Sequence, residues 1–153
     1  MALATIYRYF ESRDGLIIAA MSRFVEVEIH APLPQRVRGD TVADRLLSIY
    51  GHLMDVYEAK PRLLGAWVYA MARQGRGEKD GLAARSGQVI APLLSAALAD
   101  EDADYARDVI MVADSVWYAA VGKFVSGQIR LKEIYPRMER AVRLLTRDPA
   151  RGI

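Results

Sequence analysis

Apolar residues recur along this chain at three-and-four spacing, and no segment sustains the strict apolar and polar alternation that a half-buried strand needs. That periodicity commits the chain to an all-α fold. Val42, Leu46, Ile49, Leu53, Val56 and Tyr57 form one core-facing stripe, with Asp40 or Thr41 placed to cap its first turn. Leu64, Trp67, Val68 and Met71 form the next, entered through Pro61, whose missing amide costs nothing in a first turn. Ile134, Met138, Val142 and Leu145 supply the stripe of a last helix over Leu131 to Thr146.

The breaks between these stripes divide the chain in two. Ser12 caps an early helix with Asp14 in its first turn, and Leu16, Ile17, Ala20, Phe24 and Val27 give it an apolar side that runs to about His30. Pro32, Pro34 and Gly39 then interrupt the pattern, because proline lacks the amide donor and glycine disfavours helix. A second unit spans about 40–148. Within it, Asp80 to Leu98 reads as a helix kinked or divided at Pro92, and Asp100 to Asp104 as an acidic break. Asp102 or Asp104 caps the most apolar helix, Tyr105 to about Ser126, which carries apolar residues on nearly every side and so needs several neighbours to cover it.

Composition removes several function classes. There is no cysteine, so a disulfide framework, a thiolate metal site and a cysteine nucleophile are excluded. No two-histidine metal spacing, phosphate-binding glycine loop or nucleophile elbow is present, so the chain is not expected to be an enzyme or to hold a cofactor or metal. His30 and His52 are expected as partly exposed helix residues. The apolar run from Val109 to Val125 is interrupted by Asp114, Ser115 and Lys123, and falls short of the roughly 20 residues a membrane span needs. No secretory leader is evident, so a cytoplasmic location is expected. A formal charge of +2 neither requires nor excludes nucleic acid.

The segment Thr5-Ile6-Tyr7-Arg8-Tyr9-Phe10-Glu11-Ser12-Arg13-Asp14-Gly15-Leu16 resembles the signature of TetR-family repressors, in which a short recognition helix, a turn and a long connecting helix follow one another. The residue types suit that chemistry: Thr5, Tyr7 and Tyr9 supply hydroxyls, Arg8 a cation, and Ile6 and Phe10, four apart, an inward face. The resemblance assigns Tyr7, Tyr9 and Arg13 to phosphates, and Thr5 and Leu3 to the groove, with Arg8 beside them. It makes residues 1–11 a recognition-helix remnant and 12–30 the connecting helix. In the family two helices precede this signature, whereas Met1 stands where the turn into the recognition helix usually ends. The 153-residue chain is therefore expected to carry a partial helix-turn-helix and to bind operator DNA weakly or not at all.

The rest of the chain is similar to the family's effector-binding and dimerisation domain in helix number and order. Bulky adaptable side chains recur on facing helices, namely Tyr50, Met54 and Tyr57, then Trp67 and Met71, then Met111, Trp117 and Tyr118, a set suited either to an effector pocket or to ordinary core. A weaker similarity to repressors of actinobacterial steroid and lipid catabolism implies a small apolar effector such as an acyl or steroid thioester of coenzyme A. The resemblance also implies a homodimer through the last two long helices, and Ala113, Ala119, Ala120 and Gly122 would let another helix approach closely. The competing expectation is an orphan helical ligand-binding or interaction module without DNA-binding activity.

Overall fold

A computed structural model describes residues 12–32, 37–74 and 91–147, and all its regular structure among those residues is helical. The first helix, α1 (Arg13–Val25), starts where the sequence places it: Ser12 Oγ accepts the Gly15 amide at 3.0 Å, satisfying one of the donors a helix start leaves open. It then widens into a π-helical turn over Glu26–His30, closed by Ala31 N–H donating to the Glu26 carbonyl. The deeply buried side chains described on this rod are Met21, Val25 and Ile29. That corrects the expected stripe: Phe24 packs at the edge of the core, but Ala20 and Val27 are exposed. The π turn is the physical reason at the far end, since its i→i+5 turn holds more residues than an α turn, which rotates the face and brings Ile29 inward.

Thr41 caps α2 (Val42–Ala59), its Oγ1 accepting the Asp44 amide at 3.1 Å. Leu46, Ile49, Leu53 and Tyr57 are buried as the periodicity predicts, and Leu47, Tyr50, His52 and Met54 widen that face, because α2 meets neighbours on two sides. Helix α3 (Pro61–Gln74) begins at Pro61, and Leu64 is its most deeply buried described residue. Residues 91–97 form α4, with Leu94 and Ala97 in the core; Arg45 Nε donates to the Ala97 carbonyl at 2.8 Å and ties α2 to the end of α4.

Asp102 Oδ1 accepts both the Asp104 and Tyr105 amides at 3.0 Å and so starts α5 (Ala103–Val125). Its other end closes at Gly127, which adopts a φ of 74° while the Gly127 and Gln128 amides donate to the Phe124 and Lys123 carbonyls. That left-handed residue and its two bonds form a Schellman-type cap. A 3-10 turn (Leu131–Glu133) leads into α6 (Ile134–Leu145), where Ile134, Met138 and Val142 are completely buried and Leu145 packs beside them. Each contributes about 1.5–3 kcal/mol through removal of apolar surface from water. Helix α6 lies against α5 and α2, α1 lies along α3, and α3 also meets α5.

The turn before α2 depends on one glycine. Gly39 has a φ of 136°, and a Cβ there would collide with the Asp44 side chain and stand 2.9 Å from its backbone carbonyl carbon. Gly39→Ala is expected to lower stability by more than about 1 kcal/mol, since alanine fits neither the backbone angle nor the space. Urea unfolding measures it, and an unchanged midpoint would contradict this account of the turn.

Candidate functional site

Two positions seven apart on α2, Tyr50 and Tyr57, occupy the same side of that helix two turns apart. The Trp117 ring of α5 meets both of them: its centroid is 5.5 Å from that of Tyr50, tilted 34°, and 6.0 Å from that of Tyr57 at 30°. All three rings are buried, as is Met54. Such ring pairs add about 0.5–1.5 kcal/mol each beyond the area they bury.

This aromatic centre has a polar edge. Asp114 stands one turn before Trp117 on α5, and burial raises its carboxyl above the usual range. Burial raises the Tyr50 hydroxyl strongly, and the neighbouring Asp114 carboxylate and then Tyr118 push it further. Burial also raises Tyr57, with Tyr118 again contributing. The Tyr50 hydroxyl and Oδ1 of Asp114 are both shielded from solvent and have no hydrogen-bond partner. A buried polar atom left in that condition costs about 1–3 kcal/mol.

Of the side chains expected to line an effector pocket, Tyr50, Met54, Tyr57 and Trp117 come together here. Tyr118 lies at the margin, 37% exposed yet acting electrostatically on both tyrosines, whereas Met111 is 60% exposed on α5 and does not join the centre. Trp67 and Met71 belong to α3, and their side chains lie outside the described residues. Sequence reasoning did not single out Asp114 as part of the site. Its signal was the one carboxylate inside the apolar run from Val109 to Val125, three residues from a tryptophan.

His52 also departs from expectation. It is only 6% exposed, because it lies on the side of α2 that meets the end of α1, where its Nε2–H donates to the Glu28 carbonyl at 3.1 Å. Beside it an open groove of about 760 Å3 runs between α2 and α6, lined by Arg38, Asp44, Ser48, Asp55, Tyr135 and Arg143 among others. Arg143 is already held by Glu139 at 3.1 Å. Both cations and carboxylates line this groove, and among the described residues no three potential metal ligands come together.

The outer side of α5 is apolar and uncovered. Met111, Tyr118 and Val125, seven residues apart along the helix, are exposed together with Val112, and Leu144 of α6 is exposed as well. A seven-residue repeat keeps one seam of a helix turned toward the same side, the spacing that helix pairs use.

Residues 39–145, well over half of the chain, match the family model described as the tetracyclin repressor-like, C-terminal domain. The chain belongs to the TetR family. A search of the curated proteins returns no match. The TetR match takes in α2 to α6 and therefore both the aromatic centre and the uncovered side of α5. Of the residues that the TetR signature assigns to DNA, Leu3, Thr5, Tyr7, Arg8 and Tyr9 lie outside the described residues, while Arg13 is exposed at the head of α1. No described helix of this TetR regulator is long and apolar enough to cross a membrane.

Proposed function

We propose that this TetR-family chain belongs to a dimeric, ligand-responsive repressor of the cytoplasm that a small apolar effector releases from operator DNA, with the 153 residues by themselves binding that DNA weakly or not at all. Residues 1–30 serve the DNA side and 40–148 the sensing and pairing side. The observation that carries the reading is the clasp between the two: Met21, Val25 and Ile29 seat α1 in the bundle, and His52 of α2 hydrogen-bonds the Glu28 carbonyl in its π turn. A change of packing around Tyr50 and Tyr57, on the same α2 as His52, thereby reaches α1 directly.

The mechanism is a shift between two arrangements. Two recognition elements of a dimer must sit about one DNA turn apart to enter successive major grooves, so a small change in their separation abolishes binding. An effector that prefers the arrangement with the wrong separation depletes the other, and one that binds both equally does nothing. On the DNA side Tyr7, Tyr9 and Arg13 hold phosphates while Thr5 and Leu3 enter the groove, with Arg8 adding a cation. On the other side the aromatic centre takes the effector, of which an acyl or steroid thioester of coenzyme A is one class. The exposed side of α5, with α6, pairs with its copy across a twofold axis.

Native mass spectrometry of the purified chain tests both halves of this reading. The expected species is two copies of the 17.1 kDa chain with the added mass of a retained small molecule. A bare monomer at micromolar concentration would overturn it.

A further inference from the structure

The two unpartnered polar atoms in the aromatic centre say what the effector must carry. Tyr50 has 0% exposure, its hydroxyl has no hydrogen-bond partner, and Asp114 beside it keeps a shielded oxygen in the same state. The two come from different helices, α2 and α5, and Trp117, one turn after Asp114 on α5, packs its ring on Tyr50. A protein interior leaves such atoms unsatisfied at a cost, so two of them on packed helices mark a place prepared for a polar group from outside. The surroundings are otherwise apolar and aromatic: Met54, Tyr57 and Trp117 are all buried.

We infer that the part of the effector entering the aromatic centre is apolar over most of its surface and carries one hydrogen-bond-donating head, a hydroxyl or a protonated amine, seated between the Tyr50 hydroxyl and the Asp114 carboxylate. This rests on the proposal that the matched domain takes up an apolar effector. A carboxylate only accepts hydrogen bonds, so the group opposite Asp114 must donate. A tyrosine hydroxyl both donates and accepts, so it completes the bonding of either head. A hydroxyl donates to Asp114 and accepts from Tyr50, whereas an ammonium donates to both and neutralises the half-buried carboxylate. An ether or a hydrocarbon of the same length satisfies Asp114 not at all.

The test uses the full chain and three probes of one chain length: 1-decanol, decylamine and decyl methyl ether, titrated by calorimetry. Wild-type protein is expected to bind the alcohol or the amine at least about tenfold more tightly than the ether, the scale of one charge-assisted hydrogen bond made in place of a shielded vacancy. In Tyr50→Phe and Asp114→Asn that preference should fall to less than about threefold, while thermal midpoints stay at or above wild type because each change removes an unsatisfied or charged atom. Loss of amine binding in Asp114→Asn alone marks a cationic effector; loss of alcohol binding in both variants marks a hydroxyl. Equal wild-type affinity for all three probes overturns the polar-head inference and leaves an apolar binding site standing. Binding of none of them overturns the effector site together with the inference drawn from it.

Discussion

Met111→Glu is expected to convert the proposed dimer into monomers. Met111 is one of the most exposed large apolar residues of α5, and in the proposed twofold pairing it meets its own copy or a near neighbour, so the substitution buries a carboxylate from each protomer. An uncompensated charge at a packed interface costs about 3–5 kcal/mol, which weakens association by roughly two to four orders of magnitude. Asp108, one turn earlier on the same exposed side, adds repulsion rather than relief. Sedimentation velocity across a concentration series reads the change. Val27→Glu, on the exposed side of the π turn, serves as the control and should leave association unchanged. An unaltered sedimentation coefficient for Met111→Glu would remove α5 from the pairing surface.

The second large effect is on the fold itself. Trp117→Ala removes the ring that joins Tyr50 and Tyr57 and leaves a cavity between α2 and α5 that neither helix can close without disturbing the packing of α6. The expected loss is about 3–5 kcal/mol, a large part of the 5–15 kcal/mol that holds a typical domain together. Leu144→Ala, on the exposed side of α6, should change stability by less than about 0.5 kcal/mol under conditions where the chain is monomeric. Urea unfolding separates the two; a loss below about 1 kcal/mol for Trp117→Ala would mean that the aromatic centre is not the keystone of the bundle.

The helices were legible because their signals are local. Ser12, Thr41 and Asp102 each cap the helix that follows them, and the stripe Ile134, Met138 and Val142 is buried as its spacing requires. The face of α1 was not legible, since a π turn adds a residue to one turn of helix without any mark in the sequence, and Ile29 rather than Val27 turns inward. His52 was misplaced for a related reason: its burial depends on where α1 ends against α2, a contact between segments 24 residues apart. Tyr50, Tyr57 and Trp117 stood out as bulky residues on facing helices, but that pattern fits a core and a pocket equally well. What distinguishes the place is Asp114 and the empty hydrogen-bonding positions beside it, and these exist only once α2 and α5 are brought together.

The rod formed by α1 and its π turn has thirteen α-helical and five π-helical residues, and the deeply buried side chains described on it, Met21, Val25 and Ile29, lie at its midpoint and beyond. A beam held from its midpoint to one end multiplies angle into distance at the other. At 1.5 Å per residue it is roughly 25 Å long, so a tilt of about 5° at the anchored end sweeps the Ser12 end through about 2 Å, more than half the 3.4 Å rise of a base pair. Molecular leverage of that kind needs no large rearrangement inside the bundle: a rotation too slight to break the His52 clasp is already coarse on the scale of stacked bases.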